Sequence, residues 1–321
     1  CEEDLRGFEW SHLRQQTDSS RRSLDAHRGG AADLAVNPGE FVASVGADGA
    51  LRLWDPGGGE ALAEFLPPRG AGRRALTRVA VAAGSGRLAL ADEAGDLFLV
   101  EPGSSAWTPL PGPGAARAAV RELAFAPDGR TLALLLAPSG FEPARLALFD
   151  LEQRRWSQDF GLADERPRCL AWDPRGRRLA LGGLGGVVRV LDTEGPGGLR
   201  FVAEHRQPIA ALCFDGEGAR LVHVSQGGVL EMHDAEAGGR LLSLRLPEAD
   251  PRALCLVGGD GPLPYASAGG ALRIEAPRSA ARQLVALGGA AGLLRVYDLE
   301  EGLEINRLQG HLDAITSLAY D

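Results

Sequence analysis

Short apolar triplets recur along this chain, each followed by a turn and then by a second apolar run. The triplets are LAV (34–36), VAV (79–81), LAF (123–125), LAW (170–172), LCF (212–214), LCL (254–256) and LAY (318–320). Their first residues stand 45, 44, 47, 42, 42 and 64 positions apart. The turns read NPGE, AGSG, PDGR, PRGR, DGEG and GDGP, and the runs after them FVASVG, RLALAD, TLALLLA, RLALGG, RLVHVS and LPYASA. A third strand follows, clearest in ADGALRLWD (47–55), where Leu51 and Leu53 alternate with Arg52 and Trp54. An Asp-Gly pair ahead of such alternation is a strong hairpin signal. Weaker copies are DLFLVEP (96–102), ARLALFD (144–150), VVRVLD (187–192), VLEMHD (229–234), ALRIEAP (271–277) and LLRVYD (293–298). A fourth strand closes each unit, such as ALAEFL (61–66) or RLLSLRL (240–246).

Four short antiparallel strands every ~40–45 residues is the period of a propeller blade. No helical pattern of 10–15 residues separates the strands, which argues against a parallel α/β sheet. One blade cannot bury both of its faces, whereas blades packed around an axis can, so an all-β propeller ring is expected. The count is one N-terminal strand, five full units, three strands near 252–275, three near 282–308 and a last triplet strand. That makes seven fours and predicts a seven-bladed ring with an irregular junction near residues 275–283, where a closing strand and the next triplet do not both fit. Ahead of the ring, EEDLRGFEWSHLRQQ (2–16) reads as a short helix with Asp4 as N-cap and Leu5, Phe8 and Leu13 on one side. The expected organisation is therefore a helix and connector over 1–22 and a propeller over 23–321.

Composition narrows the function. Forty-four Gly and twenty Pro among 321 residues suit many tight turns, and 45% hydrophobic residues exclude wholesale disorder. A net charge of −9 argues against nucleic acid as a partner, because phosphate binding needs a concentrated positive face. The longest purely apolar run, Leu132–Ala137, is too short to span a bilayer, and no membrane contact is expected. With Cys1 at the first position and Met232 as the one methionine, the chain is expected to be a piece of a longer product. Cys1, Cys169, Cys213 and Cys255 form no C-x-x-C pair and read as reduced core residues, which favours a cytoplasmic location.

The chain resembles a WD-repeat (WD40) propeller over residues 23–321. His27, Ser44, Asp48 and Trp54 match that family's His, Ser/Thr, Asp and Trp, a network that ties the inter-blade loop to the strands. Gly-His in QGH (309–311) and the related EH (204–205) repeat the signal, and His27, His205 and His311 each lie seven residues before their triplet. The turn Asp and the Trp survive only as Asp48 and Trp54; equivalent turn places hold Ala94, Gly185, Gly227, Gly269 and Ala291. The resemblance implies a non-catalytic protein-interaction scaffold. LRGFEWSHL (5–13) also resembles the segment leading into the WD-repeat region of large bacterial serine/threonine protein kinases, which implies a recruitment or regulatory module of a signalling protein. No kinase signature occurs in the chain itself.

Chemistry-bearing residues are sparse. His223 and His233 lie on adjacent strands, but with no carboxylate or Cys read at ligand spacing no metal is expected, and no cofactor either. Ser225 lacks a G-x-S-x-G elbow and reads as a solvated strand residue. GGLGG (182–186) joins two strands, so it reads as a hairpin rather than a phosphate loop. The doublets Asp92–Glu93, Asp164–Glu165 and Glu300–Glu301 read as solvated loops.

One pattern stands out. Arg28, Arg73, Arg117 and Arg206 sit six residues before their triplets, and Arg121, Arg168 and Arg252 sit two before theirs. Equivalent positions in successive blades lie on a ring, so these arginines are expected to crowd one face. Guanidinium forks suit carboxylates and phosphates, so the expected partner is a protein segment, acidic or phosphorylated. The competing class is a propeller enzyme or cofactor binder with ligands gathered at the central channel, and a third reading is a structural spacer.

Overall fold

A computed structural model describes residues 26–56, 59–67, 74–104, 106–113, 118–137, 143–162, 166–193, 199–246, 251–257, 263–267, 271–274, 284–289, 293–309, 315 and 317–319. Among these residues there are 27 strands and no helix. The first blade is β1 (Ala31–Asn37), β2 (Phe41–Gly46), β3 (Leu51–Trp54) and β4 (Ala61–Phe65), paired antiparallel in chain order. The second repeats that order with β5 (Leu76–Val81), β6 (Leu88–Asp92), β7 (Leu97–Val100) and β8 (Trp107–Leu110). The third is β9 (Val120–Phe125), β10 (Thr131–Leu136), β11 (Ala144–Asp150) and β12 (Arg155–Leu162). The fourth is β13 (Pro167–Trp172), β14 (Arg178–Gly183), β15 (Val187–Asp192) and β16 (Leu199–Glu204). The fifth is β17 (Ile209–Phe214), β18 (Arg220–Ser225), β19 (Val229–Asp234) and β20 (Arg240–Arg245).

The sixth blade is interrupted. Its first strand β21 (Pro251–Val257) is followed by a hairpin, β22 (Leu263–Ser267) and β23 (Ala271–Ile274), that leaves the blade. The blade is completed by β24 (Leu284–Gly289), β25 (Leu293–Asp298) and β26 (Leu303–Gln309). The last strand, β27 (Ser317–Ala319), pairs with β22, so the hairpin and the last triplet make a three-stranded sheet. β27 packs against both β21 and β1, which completes the circuit of innermost strands.

Burial explains why the blades stack. The second strand of each blade is almost wholly buried: every residue of β2 and β6, and all but the first of β10, β14 and β18. Within β6, Leu88 and Leu90 join a cluster shared with the first blade, while Ala89 and Ala91 join one shared with the third. Within β10, Leu132 and Leu134 face the second blade, and Ala133 and Leu135 the fourth. Alternate side chains thus point to opposite interfaces, and because both are dry the run reads as continuous apolar sequence. The outermost strands β4, β12 and β20 alternate exposed with half-buried residues over most of their length.

Two expectations change. Among the described residues there are six four-stranded blades, not the expected seven, and one three-stranded sheet. The run LPYASA does not supply the second strand of the sixth blade; LVALGG of β24 does, with Leu254 opposite Leu287 as Leu212 is opposite His223. LVALGG repeats the pattern of RLALGG in β14, including the glycine that makes room for a neighbour. A Cβ at Gly288 would overlap Ile315, as one at Gly182 would overlap Ile209. The helix expected over 1–22 and the junction at 275–283 lie outside the described residues.

Every four-stranded blade carries a β-bulge at the same place in its innermost strand. The register slips between Ala31 and Asp33, Leu76 and Arg78, Val120 and Glu122, Pro167 and Cys169, Ile209 and Ala211, and Pro251 and Ala253. The extra residue is Ala32, Thr77, Arg121, Arg168, Ala210 or Arg252. A bulged residue is released from the ladder, and its side chain is re-aimed.

If inter-blade burial holds the ring, Leu90→Ala lowers the free energy of unfolding by about 2–5 kcal/mol, while Leu241→Ala, on an exposed outer strand, changes it by less than ~0.5 kcal/mol. Paired denaturant titrations check this, and equal effects would contradict it.

Candidate functional site

In the first blade the loop residue His27 reaches two strands. Its Nδ1 lies 2.8 Å from Asp48 Oδ1 and its Nε2 2.8 Å from Ser44 Oγ. Trp54 Nε1 donates to the same Ser44 oxygen at 2.8 Å, and Arg52 donates to Asp48 Oδ2 at 2.8 Å and to Glu64 at 2.7 Å. Burial opposes ionisation of Asp48, but hydrogen bonds from His27, Arg52 and the Ala50 backbone outweigh it and hold the carboxyl well below its usual range. The network clamps the entry of β1 to the turn between β2 and β3.

The other blades solve the same problem differently. In the second, Asp92 at the end of β6 accepts from the backbone N–H of Ala94 and Asp96, and Arg74 donates to Asp96 at 2.7 Å. Asp92 is therefore buried, not solvated as its sequence position suggests. Ser225 is likewise buried, its hydroxyl closing the turn before β19 with the backbone of Val229. GGLGG forms the turn between β14 and β15, with Gly186 N–H donating to Gly183 O.

The fifth blade places a different set in the positions of the first-blade network. By strand register His223 stands where Ser44 does, Glu231 where Arg52 does, and His233 where Trp54 does, with His205 in the loop place of His27. Glu231 is the carboxylate that the sequence reading overlooked. It is directly opposite His223 across β18 and β19, and two residues before His233 on the same strand face. The signal was in VLEMHD, where Glu occupies the place of an Arg.

The arginines separate into groups. Arg121, Arg168 and Arg252 are the extra residues of three bulges, and all are exposed. Arg28 and Arg206 are exposed in loops before β1 and β17, at the same end of the disc as the bulges. Arg73 and Arg117 lie outside the described residues, as do Asp164 and His311. Arg168 and Arg252 line a cavity of about 560 Å³ bounded by innermost strands, together with Arg78, Glu122, Cys169 and Leu318. Arg121 does not line it; its backbone carbonyl accepts from Arg78 Nε at 2.6 Å.

The cavity wall perturbs two groups. Burial among protein atoms, with Asp33 nearby and only partial relief from Arg78, pushes the Glu122 carboxyl up to about 8. Burial and the neighbouring Glu122 push the Cys169 thiol up to about 12, so it is held as an inert thiol. Among the described residues Cys169 and Cys213 form no disulfide bond.

Sequence comparison agrees with this geometry at one blade. Residues 18–55 match the family model of the WD domain, G-beta repeat. The matched segment contains the whole His27–Trp54 network, and with the ring of antiparallel blades it supports a WD-repeat propeller. No curated protein matches the chain. The other WD-type blades are recognised by strand order and register, since their turn Asp and Trp are replaced.

A carboxyl raised to about 8 in the fold, against 4.5 ordinarily, costs stability as it ionises. The contribution of this one group is fully present below about 4.5 and is lost as pH rises through about 8. Glu122→Gln is expected to flatten this part of the profile and to melt higher than the wild type at alkaline pH. Thermal melts across that range check it, and an unchanged slope would contradict it.

Proposed function

We propose that this chain is a non-catalytic scaffold that holds a protein segment at the arginine-bearing end of the propeller, with acidic or phosphorylated side chains as the recognised chemistry. WD-repeat propellers commonly serve as interaction scaffolds, which sets the class. The observation that carries the finer reading is the cavity where Arg78, Arg168 and Arg252 converge from three different innermost strands. Guanidinium groups on rigid strands bind carboxylate or phosphate with little ordering cost, and the chain's net negative charge keeps other acidic surfaces from binding indiscriminately.

The resemblance of LRGFEWSHL to segments beside bacterial kinase WD-repeat regions supports reading the scaffold as a recruitment or regulatory module of a larger signalling protein. The unbridged Cys169 thiol, held protonated by burial, supports a cytoplasmic setting.

The test is a charge reversal. Arg121→Glu, Arg168→Glu and Arg252→Glu together are expected to leave the melting temperature near that of the wild type. Affinity for a fluorescent peptide of alternating phosphoserine and glutamate is expected to fall by about tenfold or more. Wild-type affinity is expected to weaken as salt rises. An unchanged affinity in the folded triple variant would overturn the reading.

A further inference from the structure

In the first blade the loop is tied to the strands by hydrogen bonds among unlike partners, donors facing acceptors. The fifth blade keeps the positions but fills them with three imidazoles and a carboxylate. His205 Nε2 lies 3.2 Å from His223 Nδ1 and 3.5 Å from Glu231 Oε2, and His233 Nε2 lies 3.2 Å from the same Glu231 oxygen. The ligand atoms of His205, His223 and Glu231 all fall within 4.8 Å of one another. The residues are enclosed, with side-chain exposures of 8% for His205, 9% for Glu231 and 6% for His233, and His223 at 0%.

The contacts within this group fix which nitrogens and oxygens face one another. The Gly238 carbonyl, 3.2 Å from His233 Nδ1, can only accept, so that nitrogen carries the proton. His223 Nε2 is buried with no hydrogen-bond partner whichever tautomer it adopts. Meanwhile Glu231 Oε1 accepts from Arg240 at 3.0 Å and Ser243 at 3.2 Å, which fixes the carboxylate with Oε2 aimed at the imidazoles. Outer hydrogen bonds of this kind orient ligands at metal centres.

We propose that the fifth blade holds a divalent transition-metal ion of the zinc class, bound by His205, His223 and Glu231. A tetrahedral centre with bonds of about 2.0–2.1 Å has ligand atoms about 3.3–3.4 Å apart; His205 stands 3.2 Å from His223 and 3.5 Å from Glu231, and the three ligand atoms all lie within 4.8 Å of one another. Imidazole and carboxylate donors suit zinc, cobalt or nickel over calcium or magnesium. The ion does for the loop before β17 what Asp48, Ser44 and Trp54 do for the loop before β1. It joins that loop to β18 and β19, and so fixes the backbone beside Arg206. The site is independent of the arginine cavity, and its test stands apart from that of the scaffold reading.

The experiment titrates chelator-treated full chain with Co2+ and then Zn2+. One equivalent of Co2+ is expected to bind with the visible d–d spectrum of a four-coordinate site, to be displaced by Zn2+, and to raise the melting temperature. His205→Gln and Glu231→Gln, a loop residue and an isosteric change, are each expected to weaken Co2+ binding by about tenfold or more. Ser44→Ala, in the first-blade network, is expected to leave it unchanged. No binding by the folded wild type, or binding unaffected by both site variants, would overturn the proposal and leave a hydrogen-bonded cluster only.

Discussion

A strand that is apolar on both faces needs a sheet on either side of it, and nearly everything in this structure follows from meeting that need six times over. The second strands β6, β10, β14 and β18 present alternate residues to the preceding and following blades, so neither neighbour can be removed without wetting a face. A closed circuit is the arrangement in which no blade is terminal. Here β27 supplies the closure, lying between β21 and β1 with Ile315 seated over Gly288. The interior of the ring is then lined by first strands, whose bulges decide which side chains reach the axis.

That requirement was legible in the sequence because it leaves a signature. RLALAD, TLALLLA and RLALGG are too apolar for one-sided strands and too short for helices, and their spacing gives the blade period. The interruption of the sixth blade was not legible. Reading from triplet to next apolar run assumes that neighbours in sequence pair in space, and LPYASA satisfied that rule as well as LVALGG did. What separated them is tertiary: Leu284–Gly289 pairs with β21, is buried on both faces over most of its length and offers a glycine under Ile315. Propensity and local pattern carry no information about which of two adequate strands wins that contact.

The site was legible in part. The residues of the first-blade network were recognisable because all four of their types are retained, and the arginines because their spacing repeats. The bulge that releases Arg121, Arg168 and Arg252 from the ladder is a matter of register, and no residue type marks it. It also divides the set, since Arg168 and Arg252 reach the cavity while Arg121 does not. The fifth-blade cluster was hidden for the opposite reason. Its residues were visible, but only strand alignment shows that His223, Glu231 and His233 inherit the places of Ser44, Arg52 and Trp54. One set of backbone positions thus serves as a hydrogen-bonded clamp in one blade and a donor cluster in another.

The dependence of the whole on two-sided burial can be measured by amide hydrogen exchange, strand by strand. If the blades form one cooperative ring, the amides of β2, β6, β10, β14, β18 and β24 exchange only through global unfolding, all with a common free energy, and about a hundredfold or more slower than those of β4, β12 and β20. Second strands that exchange as fast as the outer ones, or that fall into separate groups of unequal free energy, would show that the blades are stable singly and that the ring is not what holds them.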